Sequence, residues 1–573
     1  MKSQDVVNFK SKIAQMIMDL DIPMDFEEIM DFIEVPPQKA MGDYALPCFK
    51  LAKTLKKSPM LIADNLSAKI MSNKPDFIDY TDSTNGYLNM FVTKTVFIKY
   101  VLESLLSKGE AFGSSSIGEG KNVLIDFSSP NIAKPFHVGH FKATVLGSSL
   151  YNIYKFCGFN CTGINYLGDW GTQFGKLIVA YKLWSNKDEV EKDPVKVLYS
   201  LYVKFHEEAE KDPSLTKEAQ QWFKNMEDGD QEALSLWQWF KEESMNEFQK
   251  LYNILGVKFD VLDGESNYNS KVNDVVELLE SKNLLQQSNG ADIVDLSEYG
   301  LSPCLIKKSD GASLYATRDI AAAIDRKEKY DFDKALYVVA VQQNLHFQQW
   351  FKVVELLGFN WYKDLNHVGF GMVSLETGTI KTRTGNVIFI GDVLTKAIDK
   401  VKAIMEIKNN KLKNKEEVSA KIAVGAMIYS FLSDTSYKDS VFSLDKVLDF
   451  NGETGPYLQY TYARVSSILK KVNLELDSNI DPLLLPEESA ISVFQIAHDF
   501  PSTVIKAMEK NEPSVIASML MDLAHAFNSF YHTSKVVVQD EALMKSRLSV
   551  VKVTEVVMYN GLKLLGMVPL EKI

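Results

Sequence analysis

Apolar positions along the chain change their period several times, and those changes divide it. Residues 1 to about 110 show mainly helical spacing, with apolar side chains recurring every three or four positions. Two features break it: a loop around Pro36, Pro37 and Gly42, and an extended stretch, GYLNMFV, at 86–92. The segment FGSSSIGEGKN (112–122) is rich in glycine and serine, and a new unit is expected just after it. That unit opens with VLIDF (123–127), a short continuous apolar run of the kind that forms a buried strand. A polar loop, SSPNIAKPFHVGH, follows, and then FKATVLGSSLYNIYKFCGF with helical spacing. TGINYLGDWGTQFG (162–175) repeats the order of strand, loop and helix, and two such units predict a parallel sheet covered by helices.

From about Trp184 to Gln249 the pattern turns helical and charged, with Trp222, Trp237 and Trp239, and predicts an insertion that covers the sheet. Strand-type runs resume at ADIVDL, PCLIK, ALYVVAV and NHVGFGMVSL, so the sheet is expected to be split in sequence. After Asp392 helical spacing continues to the end, interrupted at DPLLLPEES (481–489), and predicts an all-helical domain from about Asp445 onward. The lysine-rich run KNNKLKNKEE just upstream could face nucleic acid, but a charge run of this kind is more often a solvated helix face.

At ~150 residues per domain, 573 residues make about four domain-sized pieces, which excludes a single small binding module. The net charge of −12, from 63 basic and 75 acidic residues, argues against indiscriminate coating of nucleic acid while leaving room for a local basic face. Nearly all the basic residues are lysine. The arginines are Arg318, Arg326, Arg383, Arg464 and Arg547, and each carries more information because bidentate recognition of carboxylate or phosphate favours arginine. Cys48, Cys157, Cys161 and Cys304 form no CxxC pair; this is a weak zinc signal and fits a reducing compartment. The N-terminal residues have neither the apolar core of a secretory signal nor a transit pattern, and no run approaches ~18 apolar residues. A cytoplasmic protein that does not enter the membrane is expected.

The most informative chemistry is His137-Val-Gly-His140, between a predicted strand and a predicted helix. The other histidines (His206, His346, His367, His498, His525 and His532) offer no spacing that completes a metal site, so metal binding is the weaker reading. A helix start presents unpaired N–H groups and the positive end of a dipole, where phosphate is at home. Two imidazoles and a glycine there would let a phosphate chain come close. The sequence has no GxxxxGK[ST] loop, and Gly369-Phe-Gly371 lacks the rest of a dinucleotide fingerprint, so a bound nucleotide would have to use the His-Gly-His turn.

Six blocks, in order along the chain, carry a resemblance: FSSPNIAKPFHVGH (127–140), NYLGDWGTQFG (165–175), KSDGASLYATRDIAAA (308–323), VQQNLHF (341–347), GMVSLETGTIKTRTGNV (371–387) and GETGPYLQYTYAR (452–464). They resemble the arginyl-tRNA synthetases, which are class I aminoacyl-tRNA synthetases, and the likeness extends to both ends of the chain through GDYA, GYLN, AFNSFYH and NGLKLLG. The resemblance implies an α/β fold: a Rossmann-type parallel-sheet catalytic domain, an N-terminal α+β tRNA-binding domain and a C-terminal all-α anticodon-binding domain. The divisions expected are 1–115, 116–390 with a helical insertion at about 184–260, a helical stem-contact region at 391–445, and 446–573. The implied reaction joins L-arginine to the terminal adenosine of its tRNA through arginyl-adenylate, with ATP and Mg2+, in a monomer.

The same resemblance assigns residues. His137, His140 and Lys134 would be catalytic, and ATP would be bound by these three with Gly139, Met372, Val373, Lys381 and Arg383. Arginine would be held by Asp126, Asn131, Tyr315, Asp319 and Gln343, with Tyr315 and Asp319 four apart on one helical face. The bland alternative for Asp319 is an ion pair with Arg318 or Arg326. The family's second signature, usually K-M-S-K-S, is here Thr379-Ile380-Lys381-Thr382-Arg383-Thr384-Gly385; its first lysine is missing, and Lys134 is expected to substitute. Phe141-Lys142 stands where leucine and arginine are common, and Lys142 keeps the charge without the planar fork. Tyr457, Tyr460, Phe527 and Tyr531 are candidates to stack on anticodon bases, each equally able to be core. The rival readings are another class I synthetase and a non-catalytic tRNA-binding relative.

Overall fold

The computed structural model describes residues 9–20, 22–307, 315–375, 389–408, 412, 414–450, 452–472 and 476–573. The N-terminal unit is not purely helical around its one expected strand. Tyr44–Pro47 (β1), Ile78–Thr84 (β2) and Tyr87–Val92 (β3) make an antiparallel sheet in the order β1-β3-β2. The hairpin between β2 and β3 turns on Asn85 and Gly86, both at positive φ (53° and 80°), as a two-residue turn matched to strand twist requires. β1 is too short and β2 too polar to show an apolar period. Phe9, Ile13, Leu46, Leu66, Leu88 and Met90 fill the core between sheet and helices.

The second unit starts at Asn122–Asp126 (β4), at the end of the glycine- and serine-rich segment, and continues through Asn160–Leu167 (β5) and Val261–Gly264 (β6). Leu285–Ser288 (β7), Ala291–Val294 (β8) and Cys304–Lys307 (β9) come next, then Lys334–Ala340 (β10) and Leu365–Phe370 (β11). The main sheet is parallel throughout, in the order β11-β10-β4-β5-β6. The runs ADIVDL and PCLIK do not extend it. They supply β8 and β9 of a separate antiparallel sheet, β7-β8-β9, folded back at Asn289 and Gly290 (φ 51° and 81°). A short apolar run signals a strand without saying which sheet it joins. NHVGFGMVSL also breaks, at Gly371: beyond it Val373–Leu375 (β12) leaves the main sheet and pairs in parallel with Ser440–Phe442 (β13).

Between β5 and β6 the insertion is helical, ending in the long helix Gln231–Leu255, and it packs closely. A side chain at Gly175 would put its Cβ 2.0 Å from the Ala219 carbonyl oxygen. The C-terminal unit packs the helices Gly455–Lys471, Glu488–Lys510, Ser514–Thr533 and Glu541–Leu564 around Phe494, Leu520, Phe527 and Val557. Among the described residues no helix is long and apolar enough to cross a membrane. The strand order of the main sheet reverses between β4 and β10, and in an open parallel sheet ligands bind beyond the carboxyl ends of the strands at such a point.

Candidate active site

From the end of β4 the chain reaches the helix Val138–Phe156 by a loop in which Ser128, Ser129 and Ala133 sit at φ 72°, 46° and 58°. Residues with a side chain seldom adopt this region, so the loop needs support from outside. Ser129 N–H donates to Asn165 Oδ1 (3.1 Å) and Ser129 Oγ to Asp126 Oδ1 (2.8 Å). Ala133 N–H donates to Ser244 Oγ (3.1 Å), and Thr144 Oγ1 donates to Ser128 Oγ (2.8 Å), which also lies 2.8 Å from the Tyr252 hydroxyl. β5, the insertion and the helix Val138–Phe156 thus all fix this loop.

The two histidines cap that helix. His137 Nδ1 accepts from Gly139 N–H (3.1 Å), His140 Nδ1 accepts from His137 N–H (3.3 Å), and the rings stack with centroids 3.9 Å apart. A ring nitrogen that accepts a backbone N–H carries no proton, so in each neutral imidazole the proton is on Nε2. Burial, with Lys134 nearby, pushes the His137 pKa down to about 4. Burial, His137 and Lys134 together hold His140 well below its ordinary value. At neutral pH both rings are neutral, the His140 ring is also hydrogen-bonded to the Pro135 backbone, and the positive field comes from the helix start behind the pair.

Three cavities meet here. The first, about 380 Å3, brings together His137, Gly139, His140, Met372 and Val373. The second, about 480 Å3, brings together Asp126, Asn131, Lys134, Tyr315, Asp319 and Gln343. Ser129, Val339 and Gln343 line both, so the two open on one another at the switch point. The third, about 350 Å3, shares Lys134 and Tyr315 with the second and adds Tyr199, Tyr202, Trp170 and Lys176. Lys134 lies on the side of the second and third cavities, its Nζ 5.6 Å from the Tyr202 ring centroid.

Within the second cavity Asp319 pairs with neither Arg318 nor Arg326. Its Oδ2 lies 2.6 Å from His346 Nε2, while Arg318 Nε donates to Asn269. Asp126, expected to touch substrate, has both carboxylate oxygens engaged: Oδ1 by Ser129 and Oδ2 by Arg326 Nη1 at 2.8 Å. Arg326 is buried beneath, 3.5 Å from Asp263 and 4.7 Å from the Tyr166 ring centroid, so this pair builds the cavity floor. Sequence reasoning missed two residues. His346 lies one turn beyond Gln343 in the same block and was weighed only as a metal ligand. Glu265 follows the end of β6, a position at which this sheet type exposes functional groups. Glu265 Oε2 is buried and, among the described residues, accepts no hydrogen bond. Burial pushes its carboxyl up to about 8; Arg318 opposes the shift, and Asp319 and Asp169 add to it.

Lys142 has its ammonium engaged within the protein. It is buried at 3% exposure, and its Nζ donates to the carbonyls of Gly371 and Lys438, each at 3.2 Å. Lys381 and Arg383, and with them 379–385, lie outside the described residues. In the C-terminal unit Phe527 is fully buried core, whereas Tyr460 and Tyr531 are 45% and 38% exposed and flank the Arg464 guanidinium at 5.1 and 5.2 Å. The Tyr457 hydroxyl accepts from Asn528 Nδ2 at 2.8 Å.

A parallel sheet that delivers a stacked histidine pair to a helix start at its switch point is the arrangement of a class I aminoacyl-tRNA synthetase, and the model of the catalytic domain of class I (R) tRNA synthetases matches residues 101–444. The DALR anticodon binding domain matches 458–573 and the arginyl tRNA synthetase N terminal domain 8–92. The arginine–tRNA ligase of Alkaliphilus metalliredigens is 49% identical over 565 residues, covering 99% of this chain and 100% of its own. That of Clostridioides difficile is 50% identical over 560 residues, covering 98% and 99%. Thermus thermophilus arginyl-tRNA synthetase shares the fold, with a TM-score of 0.79 at 23% identity over 98% of this chain and 99% of that one. The chain belongs to the arginine–tRNA ligase family, the class I enzymes that use ATP to charge tRNA with arginine for protein synthesis.

Proposed function

We propose that the two adjoining cavities divide the substrates of arginylation between them. ATP lies in the first, against His137, Gly139, His140, Met372 and Val373; arginine lies in the second, with Asp319 and Tyr315 toward its guanidinium and Asn131 and Gln343 toward its other end. One observation carries this reading: both cavities open at Ser129, Val339 and Gln343, where the arginine carboxylate and the α-phosphorus would meet. Attack there forms arginyl-adenylate and expels pyrophosphate. The transition state gathers negative charge on the phosphoryl oxygens, and the helix start with its neutral imidazoles would stabilise it without covalent participation. A ribose hydroxyl of the tRNA's terminal adenosine then takes the arginyl group and AMP leaves.

Lys134 borders the second and third cavities and not the first, so it would supply the ammonium that the second signature lacks to a phosphate chain reaching out of the first cavity toward it, with Lys381 and Arg383 as further counter-charges. Mg2+ enters as the counter-ion of ATP. Among the described residues no group of three or more His, Cys, Asp or Glu stands ready to hold it, and no step here is routed through it. We read the protein as a cytoplasmic monomer divided at about 115, 390 and 445.

The test is ATP–pyrophosphate exchange with each amino acid in turn, with and without total tRNA. Exchange with arginine alone, lowered roughly 10²-fold or more in folded His140→Ala, is the expected result. Exchange with a different amino acid would refute the substrate assignment, a His140→Ala effect of less than a few-fold would remove the histidine role, and no exchange in any condition would favour a protein that only binds tRNA.

A further inference from the structure

β12 is a wall of the first cavity that the main sheet does not hold. A separate set of contacts carries it and the two residues before it. Gly371 N–H donates to the Ser436 carbonyl (2.9 Å), Met372 N–H donates to Asp439 Oδ1 (2.7 Å), and the Met372 carbonyl accepts from Ser440 N–H (2.8 Å). The approach is close: a Cβ on Gly371 would lie 2.4 Å from the Lys438 carbonyl. Lys142, two residues beyond His140 on the signature helix, bridges the carbonyls of Gly371 and Lys438 from the other side.

Ser436 is held in turn from the C-terminal unit. Its N–H and its Oγ both donate to Glu512 Oε2, each at 3.0 Å. Glu512 sits in the turn between the helices Glu488–Lys510 and Ser514–Thr533. Burial draws the Lys142 pKa down, and the carboxylates of Asp439, Glu512 and Asp434 pull the other way.

We infer that Lys142, Ser436 and Glu512 are positioning residues for the nucleotide: through the backbone of Gly371 and Met372 they register the wall of the first cavity against both the histidine helix and a turn of the helical C-terminal domain. The inference rests on the reading of the first cavity as the ATP site. A residue that only stabilised the fold would weaken both substrates together or neither. Here the hydrogen bonds end on residues that line the first cavity, and among the described residues the second cavity is lined by none of Lys142, Gly371, Met372, Ser436 or Glu512.

The experiment is steady-state exchange by the full chain with tRNA present, reading the KM for ATP and the KM for arginine separately, with a melting curve for each variant. Glu512→Ala and Lys142→Met are each expected to raise the KM for ATP about tenfold, the scale for hydrogen bonds to a charged group, with the KM for arginine changed less than twofold. Lys142→Arg, which keeps charged donors for both carbonyls, should restore most of the loss. Met372→Glu is the control: Met372 is 41% exposed on this wall, and a carboxylate there opposes a triphosphate without disturbing the core. If Met372→Glu leaves the KM for ATP unchanged, the nucleotide does not bind here and the reading beneath the inference falls. If it raises that KM while Glu512→Ala does not, or if Glu512→Ala moves both KM values alike, the positioning role alone is overturned. Should Lys142→Met fail to fold, Glu512→Ala decides.

Discussion

On the proposed division of substrates, arginine would bring two positive groups, a guanidinium and an α-ammonium, into a cavity where Glu265 is protonated at neutral pH. The carboxyl is pushed from its ordinary 4.5 to about 8, chiefly by burial. At about 1.4 kcal/mol per tenfold, ionising it in the empty cavity costs up to about 5 kcal/mol more than ionising a carboxyl in water. A cation within about 4–6 Å reverses that balance, because it favours the carboxylate. Binding of arginine should then expel a proton, about 0.9 per site at pH 7 and about half of one at pH 8, since these are the protonated fractions for a pKa near 8. Titration calorimetry measures this directly: the apparent heat in phosphate and in Tris should differ by the released protons times the difference in buffer ionisation enthalpy. Glu265→Gln keeps the shape and removes the titration, so the buffer dependence should vanish. Stability gives an independent check. With the folded pKa raised, the native state holds the extra proton, so this group's contribution is fully present below pH 4.5 and is lost as pH rises toward about 8. Heats that agree across buffers in the native protein, or a buffer dependence that survives in Glu265→Gln, would show that Glu265 does not meet the substrate's charge.

Three further outcomes are expected. The His137 pKa is pushed down to about 4, so its contribution to stability is present above about 6.5 and is lost as pH falls toward 4. Urea unfolding at pH 4.5 and pH 7 should show His137→Gln losing about 2 kcal/mol less than the native protein over that interval, and equal losses would refute the buried neutral ring. In the C-terminal unit, Phe527→Ala should cost about 3–5 kcal/mol because it empties a fully buried site. Tyr531→Ala should leave the melting temperature within a few degrees and weaken tRNA in a filter-binding titration, and the reverse pattern would overturn the division of these aromatics into core and surface.

What was legible in the chain was local. The run VLIDF, the loop after it and His137-Val-Gly-His140 lie within eighteen consecutive residues, and β4, the strained loop and the capped helix follow in that order. The partners that set the charge state and the walls are not local. The resemblance assigns Asp319 to arginine, with an ion pair to adjoining Arg318 or to Arg326 as the alternative; the fold turns Asp319 toward His346, and Arg326 toward Asp126 and Asp263. From the sequence Lys142 is a cation two residues beyond His140, standing where arginine is common, with no partner indicated. Its neighbours at 371 and 438 are brought in only because the chain leaves the main sheet at Gly371 and pairs with β13, an event that no apolar period announces. The alternation that marks a strand records burial on its faces and is silent about which neighbour it hydrogen-bonds. The pairing of β8, β9 and β12 outside the main sheet, and the partners of Lys142, were therefore not legible for the same reason. Contact residues on a short loop and one helix can be assigned from spacing. A residue such as Glu265 acquires its chemistry from burial among Arg318, Asp319 and Asp169, and that burial exists only once the separate segments have packed.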